Sequence, residues 1–456
     1  MSFVCVDLGA SSTRYVSNSG AINVIPNNMQ FLPDMIPSRI IPDTPDLESC
    51  LEVQITKEEP DAMGNFPANV LIGIMATKYN GIDETPDVNT HKHIQRINYI
   101  SAIVSCAVSK LKYDLTDTIN LYLAVPPNSL KDAEAAFKAN IVGTYTVRFP
   151  KYNGGATVTF KVENVNVHAE SYMAVTSFFF NMSGVVRDKA KQFLSGTVLS
   201  LDIGASTTDL AIIENGRYLD KSGQTYRIGG NVARDTLIDE VCSKYAMDMP
   251  MDMAEVTMAE GRLQQGNSHD DVSDLVTIAK ENLAKQLVQY MQTYFKRIQK
   301  PIQAINAVVV SGGGSMQSQY ANDEGEIVIT TKPMSYFVTK ELTQWSKNTE
   351  VIEYGEDARF ANVKGLFIRA KVDEVKMEQA KAAGMASPMA TQPQGQSVQP
   401  QVQPVQQVAQ APAQAAQTQA QPVQQTPVQA AQPQVAQATA TTSQAAPVQA
   451  AENTIG

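Results

Sequence analysis

The stretch GTVLSLDIGASTTDLAII, residues 196–213, decides the fold. An apolar run, Val198, Leu199 and Leu201, ends at Asp202. Gly204, Ala205, Ser206, Thr207 and Thr208 follow, and a second apolar run covers Leu210 to Ile213. Two such runs around a short turn of glycine and hydroxyl residues predict a β-hairpin. Small residues at that turn let backbone N–H groups approach an anion closely. An aspartate at the strand end can hold a divalent cation through water, because Mg²⁺ dehydrates reluctantly.

The N-terminus carries a second copy. Residues 3–16, FVCVDLGASSTRYV, place Asp7, Gly9, Ala10, Ser11, Ser12 and Thr13 between two strands. One Gly/Ser/Thr hairpin with an aspartate is ordinary turn chemistry. Two copies about 195 residues apart are a different matter. Paired hairpins can clamp the β- and γ-phosphates of a nucleotide from both sides, with a metal between two carboxylates.

DLGASST and DIGASTT resemble the phosphate-1 and phosphate-2 loops of the actin/heat-shock chaperone/sugar kinase superfamily. Within it the chain is most similar to the bacterial and archaeal actin-like proteins of the ParM type. That resemblance implies an α/β actin-like fold, two duplicated ribonuclease-H-like domains around a nucleotide cleft. Domain I would be residues 1–190 with a return helix at 357–372, and domain II residues 191–356; composition marks 373–456 as a disordered tail. It also implies ATP (or GTP) with Mg²⁺. Asp7 and Asp202 would hold the metal through water, and the turns at 9–13 and 204–208 would bind phosphates. Arg14 stands where relatives often aim a lysine at the phosphates; a solvated strand charge explains it equally well.

Further motifs follow in the family's order. At 165–180 a strand runs into His168-Ala169-Glu170 and a helix opens. Glu170-Ser171-Tyr172-Met173-Ala174 resembles the family's Glu-Ser-x-x-Ala segment, which implies that Glu170 is catalytic, together with Asp202 of the second hairpin. A carboxylate there can orient the attacking water or accept its proton; the plain alternative is an acid favouring a helix N-terminus. His168 reads as structural. Gly229-Gly230 opens a helix whose N-terminus is a possible nucleotide contact, or simply a tight turn. A long helix spans 270–300, with Leu275, Ile278, Leu283, Leu287 and Tyr290 at core spacing. Lys280 and Glu281 on it are candidates for the nucleoside pocket by resemblance. Gly312-Gly313-Gly314 after a buried strand leaves bare backbone for a flat base, and resembles the adenosine motif. Ala358, Ala361, Gly365 and Ile368 resemble the superfamily's second connecting helix, whose small residues let two helices approach closely.

Other expected elements are a strand at 70–75, a helix at 93–112, a strand NLYLAVPP, a helix capped by Ser129, and two strands around Asn153–Gly155. Residues 26–69 read as irregular, with one or two strands.

The chain has 456 residues, a net charge of −10 and a pI near 5.1, which argues against wrapping by nucleic acid. No run of 18 apolar residues and no signal peptide are visible, so a soluble cytoplasmic protein without a membrane partner is expected. Cys5, Cys50, Cys106 and Cys242 are scattered and read as buried thiols, and the four histidines are too dispersed for a metal cluster. From Ala382 onward there is no aromatic residue and Glu452 is the sole charge. Such a Gln/Ala/Pro-rich tail cannot offset its ordering entropy by burial, and serves as a spacer or a partner tether.

The resemblance implies a nucleotide-hydrolysing filament that associates with itself. Its role would be plasmid or other DNA segregation, or cargo positioning, through a DNA-binding adaptor. A sugar kinase-like phosphotransferase and a chaperone or division-type scaffold are the alternatives.

Overall fold

Both expected hairpins form, and each seeds a sheet. β1 (Ser2–Leu8) and β2 (Ser12–Ser17) pair antiparallel, with Asp7 opposite Arg14. β3 (Ile22–Pro26), β4 (Met29–Phe31), β5 (Cys50–Lys57) and β6 (Ala68–Gly73) follow. Then come α1 (Arg96–Tyr113), β7 (Thr118–Val125), α2 (Leu130–Ile141), β8 (Gly143–Phe149), β9 (Ala156–Ala169) and α3 (Glu170–Phe179). The computed structural model describes residues 2–32, 50–59, 61–73, 76, 85–87, 90–355 and 358–382.

The first sheet runs β3-β2-β1-β7-β9-β8-β5-β6-β4, with β1, β7 and β9 parallel at its centre. Strands buried on both faces need continuous apolar runs instead of alternation. SFVCVDL and TINLYLAV supply them, and every residue of β1 is buried.

The second half repeats the plan. β10 (Thr197–Ile203) and β11 (Thr208–Glu214) form the hairpin, with Asp202 opposite Asp209. β12 (Arg217–Tyr218), β13 (Gln224–Tyr226), α4 (Gly230–Tyr245) and α5 (Met251–Glu260) follow. A small hairpin, β14 (Arg262–Gln265) and β15 (Ser268–Asp271), leads into α6 (Ser273–Ile298) and β16 (Ala307–Ser311). A second one, β17 (Ser318–Ala321) and β18 (Ile327–Thr331), precedes α7 (Met334–Leu342), β19 (Glu350–Glu353) and α8 (Ala361–Ala382). The sheet runs β12-β11-β10-β16-β19, with β13 also on β11. The succession β2-β1-β7-β9 thus recurs as β11-β10-β16-β19: a hairpin, then two parallel neighbours.

Helix α8 returns to the first sheet. It lies across β1, β2 and β7, with Val363, Leu366 and Phe367 packed among Phe3, Cys5 and Tyr122. It also crosses α3, and the small residue at the crossing matters as expected. A Cβ on Gly365 would stand 2.6 Å from the Met173 carbonyl carbon and 2.8 Å from its Cα. Backbone meets backbone there, so only glycine fits.

Several boundaries differ from expectation. Lys92–Ile94 form a 3₁₀ turn, and α1 starts only at Arg96. Ser129 precedes α2, but its hydroxyl donates to the Pro126 carbonyl (3.1 Å) instead of capping the helix. In α6, Leu275, Leu283 and Leu287 are buried, whereas Ile278 and Tyr290 are each 39% exposed. Helix α8 continues through EVKMEQAKA, residues with good helical propensity, ten positions past the expected end at 372. The predicted disorder from 383 onward, the strand residues 74 and 75 and the Cys50 side chain lie outside the described residues. Cys5 and Cys106 are buried and Cys242 is half-buried. Among the described residues no helix is long and apolar enough to cross a membrane.

Candidate functional site

A cleft of about 710 Å³ is lined by both hairpin turns. Gly9, Ala10 and Ser11 contribute from the first, and Gly204, Ala205, Ser206 and Thr207 from the second. The turns are held from within: Gly9 N–H donates to Asp7 O (3.1 Å) and Gly204 N–H to Thr207 O (2.8 Å). No backbone carbonyl among the described residues accepts from the N–H groups of Ala10, Ser11, Ala205 or Ser206. Bare amides at a tight turn form a concavity suited to an anion.

Not every residue of the two motifs reaches the cleft. Ser12, Thr13 and Thr208 are outside its lining. Thr13 donates through Oγ1 to Asn27 Oδ1 (2.6 Å), and Asn27 Nδ2 donates to Gly9 O (2.5 Å). Thr208 Oγ1 donates to Ile228 O (2.6 Å). These hydroxyls lock the turns and face away from any ligand.

Gly229 and Gly230 also act on the hairpin. Gly230 N–H donates to Gly204 O (2.9 Å) and Asn231 N–H to Ala205 O (2.7 Å). A Cβ on Gly229 would stand 2.6 Å from Gly204 O and 2.7 Å from Ala205 O. Two of the unpaired donors at this helix start are therefore spent on the turn. Gly230 lines the cleft and Gly229 does not.

The acidic floor is richer than the sequence reading gave. Asp7, Glu170, Asp202 and Asp209 all line the cleft. Glu170 opens α3 directly after β9, as expected. Glu170, Asp202 and Asp209 are buried, and each offers an oxygen within 4.8 Å of the others. Burial, the Asn362 and Ser311 hydrogen bonds that oppose it, and the charges of Glu170 and Asp7 leave the Asp202 carboxyl raised to about 6. Burial and the Glu170 charge hold Asp209 well above the ordinary carboxylate range, against a 2.5 Å hydrogen bond from Thr225 Oγ1. Asp7, expected to share a metal with Asp202, lines the same cleft, adds its charge to Asp202 and pairs with Arg14 at 3.3 Å. Glu170 and Asp209 also offer oxygens close to those of Asp202.

A lysine sits among these acids. Lys92 Nζ forms an ion pair with Glu170 Oε1. Burial works to lower the Lys92 pKa, but the charges of Glu170, Asp7 and Asp209 outweigh it and the net shift is upward. Asp202 is gripped at both oxygens: Ser311 Oγ donates to Oδ1 (3.1 Å) and Asn362 Nδ2 to Oδ2 (2.9 Å). Lys92, Asp209 and Asn362 all went unnoticed in the sequence. Asp209 had a signal: it follows Asp202 by the interval at which Arg14 follows Asp7.

The two candidates on α6 part company. Lys280 is buried on the cleft wall, and its ammonium donates to Met316 O (2.9 Å), Ser318 Oγ (3.0 Å), Thr331 Oγ1 (2.8 Å) and Lys332 O (3.3 Å). It ties β17 and β18 to α6. Glu281 lies outside the lining and pairs with Lys340 on the surface (2.7 Å). Neighbouring helix positions do not share a face. Gly312, Gly313 and Gly314 line the cleft. His168 is half-buried against Tyr122, outside the lining, and desolvation of its ring lowers it to about 3.

The donor set fits a hydrated divalent cation. Three buried carboxylates crowd together with one lysine among them, an excess of negative charge that such an ion would offset.

Residues 200–320 match the family described as archaeal actin homologue MreB-like, C-terminal. A search of curated proteins by sequence gave no match. Among solved structures, the actin-like protein Alp7A is 17% identical, with a TM-score of 0.64, covering 84% of this chain and 99% of its own. Ta0583, an archaeal actin homolog, is 13% identical with a TM-score of 0.59, over 82% of this chain and 99% of its own. Bacillus thuringiensis ParM with ATP is 15% identical with a TM-score of 0.57, over 82% and 99%. With its paired hairpins, recurring sheet order and return helix, the chain has the actin-like fold, similar to that of the ParM-type structures.

Proposed function

We propose that this chain binds ATP (or GTP) with Mg²⁺, hydrolyses it, and polymerises into filaments under that control. The observation that carries the reading is the convergence of two hairpin turns with bare amides on one cleft floored by Asp7, Glu170, Asp202 and Asp209. Two solved structures of the same fold support the nucleotide part of this reading: one is a ParM with ATP and one is Ta0583 in complex with ADP.

The amides of Ala10, Ser11, Ala205 and Ser206 would hold the phosphates, assisted by Arg14. Gly312–Gly314 would lie against the base. A divalent cation held near Asp202, Glu170 and Asp209 would neutralise charge on the phosphate oxygens. Glu170 would orient the attacking water and accept its proton, with Lys92 fixing the carboxylate. Residues 1–190 with the return helix, and 191–356, would act as two domains that close on the nucleotide. DNA segregation or cargo positioning through an adaptor is the cellular role this reading favours.

Light scattering with ATP, GTP and a nonhydrolysable analogue, with phosphate release followed in parallel, tests it. Wild type is expected to scatter on adding triphosphate and to release phosphate; Glu170→Ala is expected to assemble and release at least tenfold less. Absence of both scattering and nucleotide binding would overturn the reading.

A further inference from the structure

We propose that Asn362 is a positioning residue for the cation-binding carboxylate, and that it ties the return helix α8 to the chemistry of the cleft. The inference rests on the nucleotide-and-Mg²⁺ reading above. Asn362 is the second residue of α8 and lines the cleft. Its Nδ2 donates to Asp202 Oδ2 at 2.9 Å. Its Oδ1 is buried and finds no partner among the described residues.

The orientation of this amide follows from charge. Turned over, it would set Oδ1 against a carboxylate oxygen, two acceptors in contact. The amide must therefore give its N–H to Asp202, and Oδ1 is left as an unused acceptor at the cleft. Leaving a buried acceptor without a donor is unfavourable, so such groups are ordinarily satisfied. A water on a cation held by Asp202 is a donor of the right kind, since metal-bound water gives its protons readily and Mg²⁺ keeps several waters. Asn362 would thus orient the carboxylate with one end and steady a water of the hydration shell with the other.

The geometry reaches further because α8 is anchored elsewhere. Val363, Leu366 and Phe367 are fixed against the first sheet, while Asp202 is the penultimate residue of a strand of the second. Gly365 is locked on the α3 backbone, and α3 begins with Glu170. A shift of Asp202 on cation binding would pull on α8 through a single hydrogen bond.

The test compares nucleotide affinity with Mg²⁺ and with EDTA, read by a fluorescent ATP analogue, in wild type and Asn362→Leu. Outer-shell partners of a metal are worth about 10–100-fold in its affinity. Referred to its own affinity in EDTA, the Leu variant is expected to lose about tenfold of the gain that Mg²⁺ confers. A full Mg²⁺ gain in a folded variant would overturn the inference. Should the Leu variant melt below the assay temperature, Asn362→Ala takes its place with the same expectation. If wild type itself bound no analogue, the nucleotide reading would fall; if only the variant comparison came out flat, only the role of Asn362 would.

Discussion

Replacing Lys92 by methionine keeps the stem and deletes the charge that faces Glu170. The side chains are 17% and 9% exposed, so water compensates little for the loss. Unit charges about 4 Å apart at an effective dielectric of about 20 interact by about 4 kcal/mol. Breaking one side of a buried pair costs about 3–5 kcal/mol, because the remaining charge stays buried. Here it stays beside Asp202 and Asp209, which adds repulsion. Lys92→Met should therefore destabilise the nucleotide-free protein by about 3 kcal/mol in urea unfolding at neutral pH. Glu170→Gln in the same background removes the stranded charge, and the double variant should fall within about 1 kcal/mol of Glu170→Gln alone, a coupling of about 2–3 kcal/mol. A Lys92→Met variant as stable as wild type, or a coupling under about 0.5 kcal/mol, would refute the pairing and with it the account of how Glu170 is fixed.

Asp202 gives a pH signature. Its carboxyl is held at about 6 in the fold, above its ordinary value of 3.8, chiefly by burial. The folded state then binds more protons between those values, so this group's stabilising contribution is full below pH 4 and is lost as pH rises through 6. Without Mg²⁺, thermal melts should show wild type losing about 2 kcal/mol more than Asp202→Asn between pH 4.5 and 7.5; parallel curves would contradict this. Gly365→Ala would drive a methyl into the Met173 backbone and part α3 from α8. The overpacking should cost about 1–3 kcal/mol in calorimetry, and displacing Glu170 by about 1 Å should slow phosphate release up to about 100-fold. Unchanged melting and turnover in that variant would mean the crossing is looser than described.

The elements that were legible in the sequence are those whose chemistry is local. A hairpin turn of glycine and hydroxyl residues announces itself within seven positions, and Glu170 sits where an alternating strand gives way to a helical period. Lys92 and Asn362 were not legible, because each meets its partner only through folding. Lys92 comes from a short 3₁₀ turn ahead of α1, 78 positions from Glu170. Asn362 arrives on a helix 160 positions after Asp202. Periodicity misled on α6: Ile278 and Tyr290 keep core spacing yet border solvent, with Tyr290 leaning on Tyr226 at 4.8 Å between ring centres. On the same helix Lys280 faces the cleft and Glu281 does not, since adjacent positions point about 100° apart.

The hairpins share a mould but not a polarity. At matching rungs Asp7 meets an arginine and Asp202 meets another acid. One cradle thereby pairs its acid with a cation and the other sets two acids together, so a polyanion carrying a metal ion would have one favourable way round in the cleft. Exchanging Arg14 and Asp209 would leave the backbone plan intact and reverse the socket.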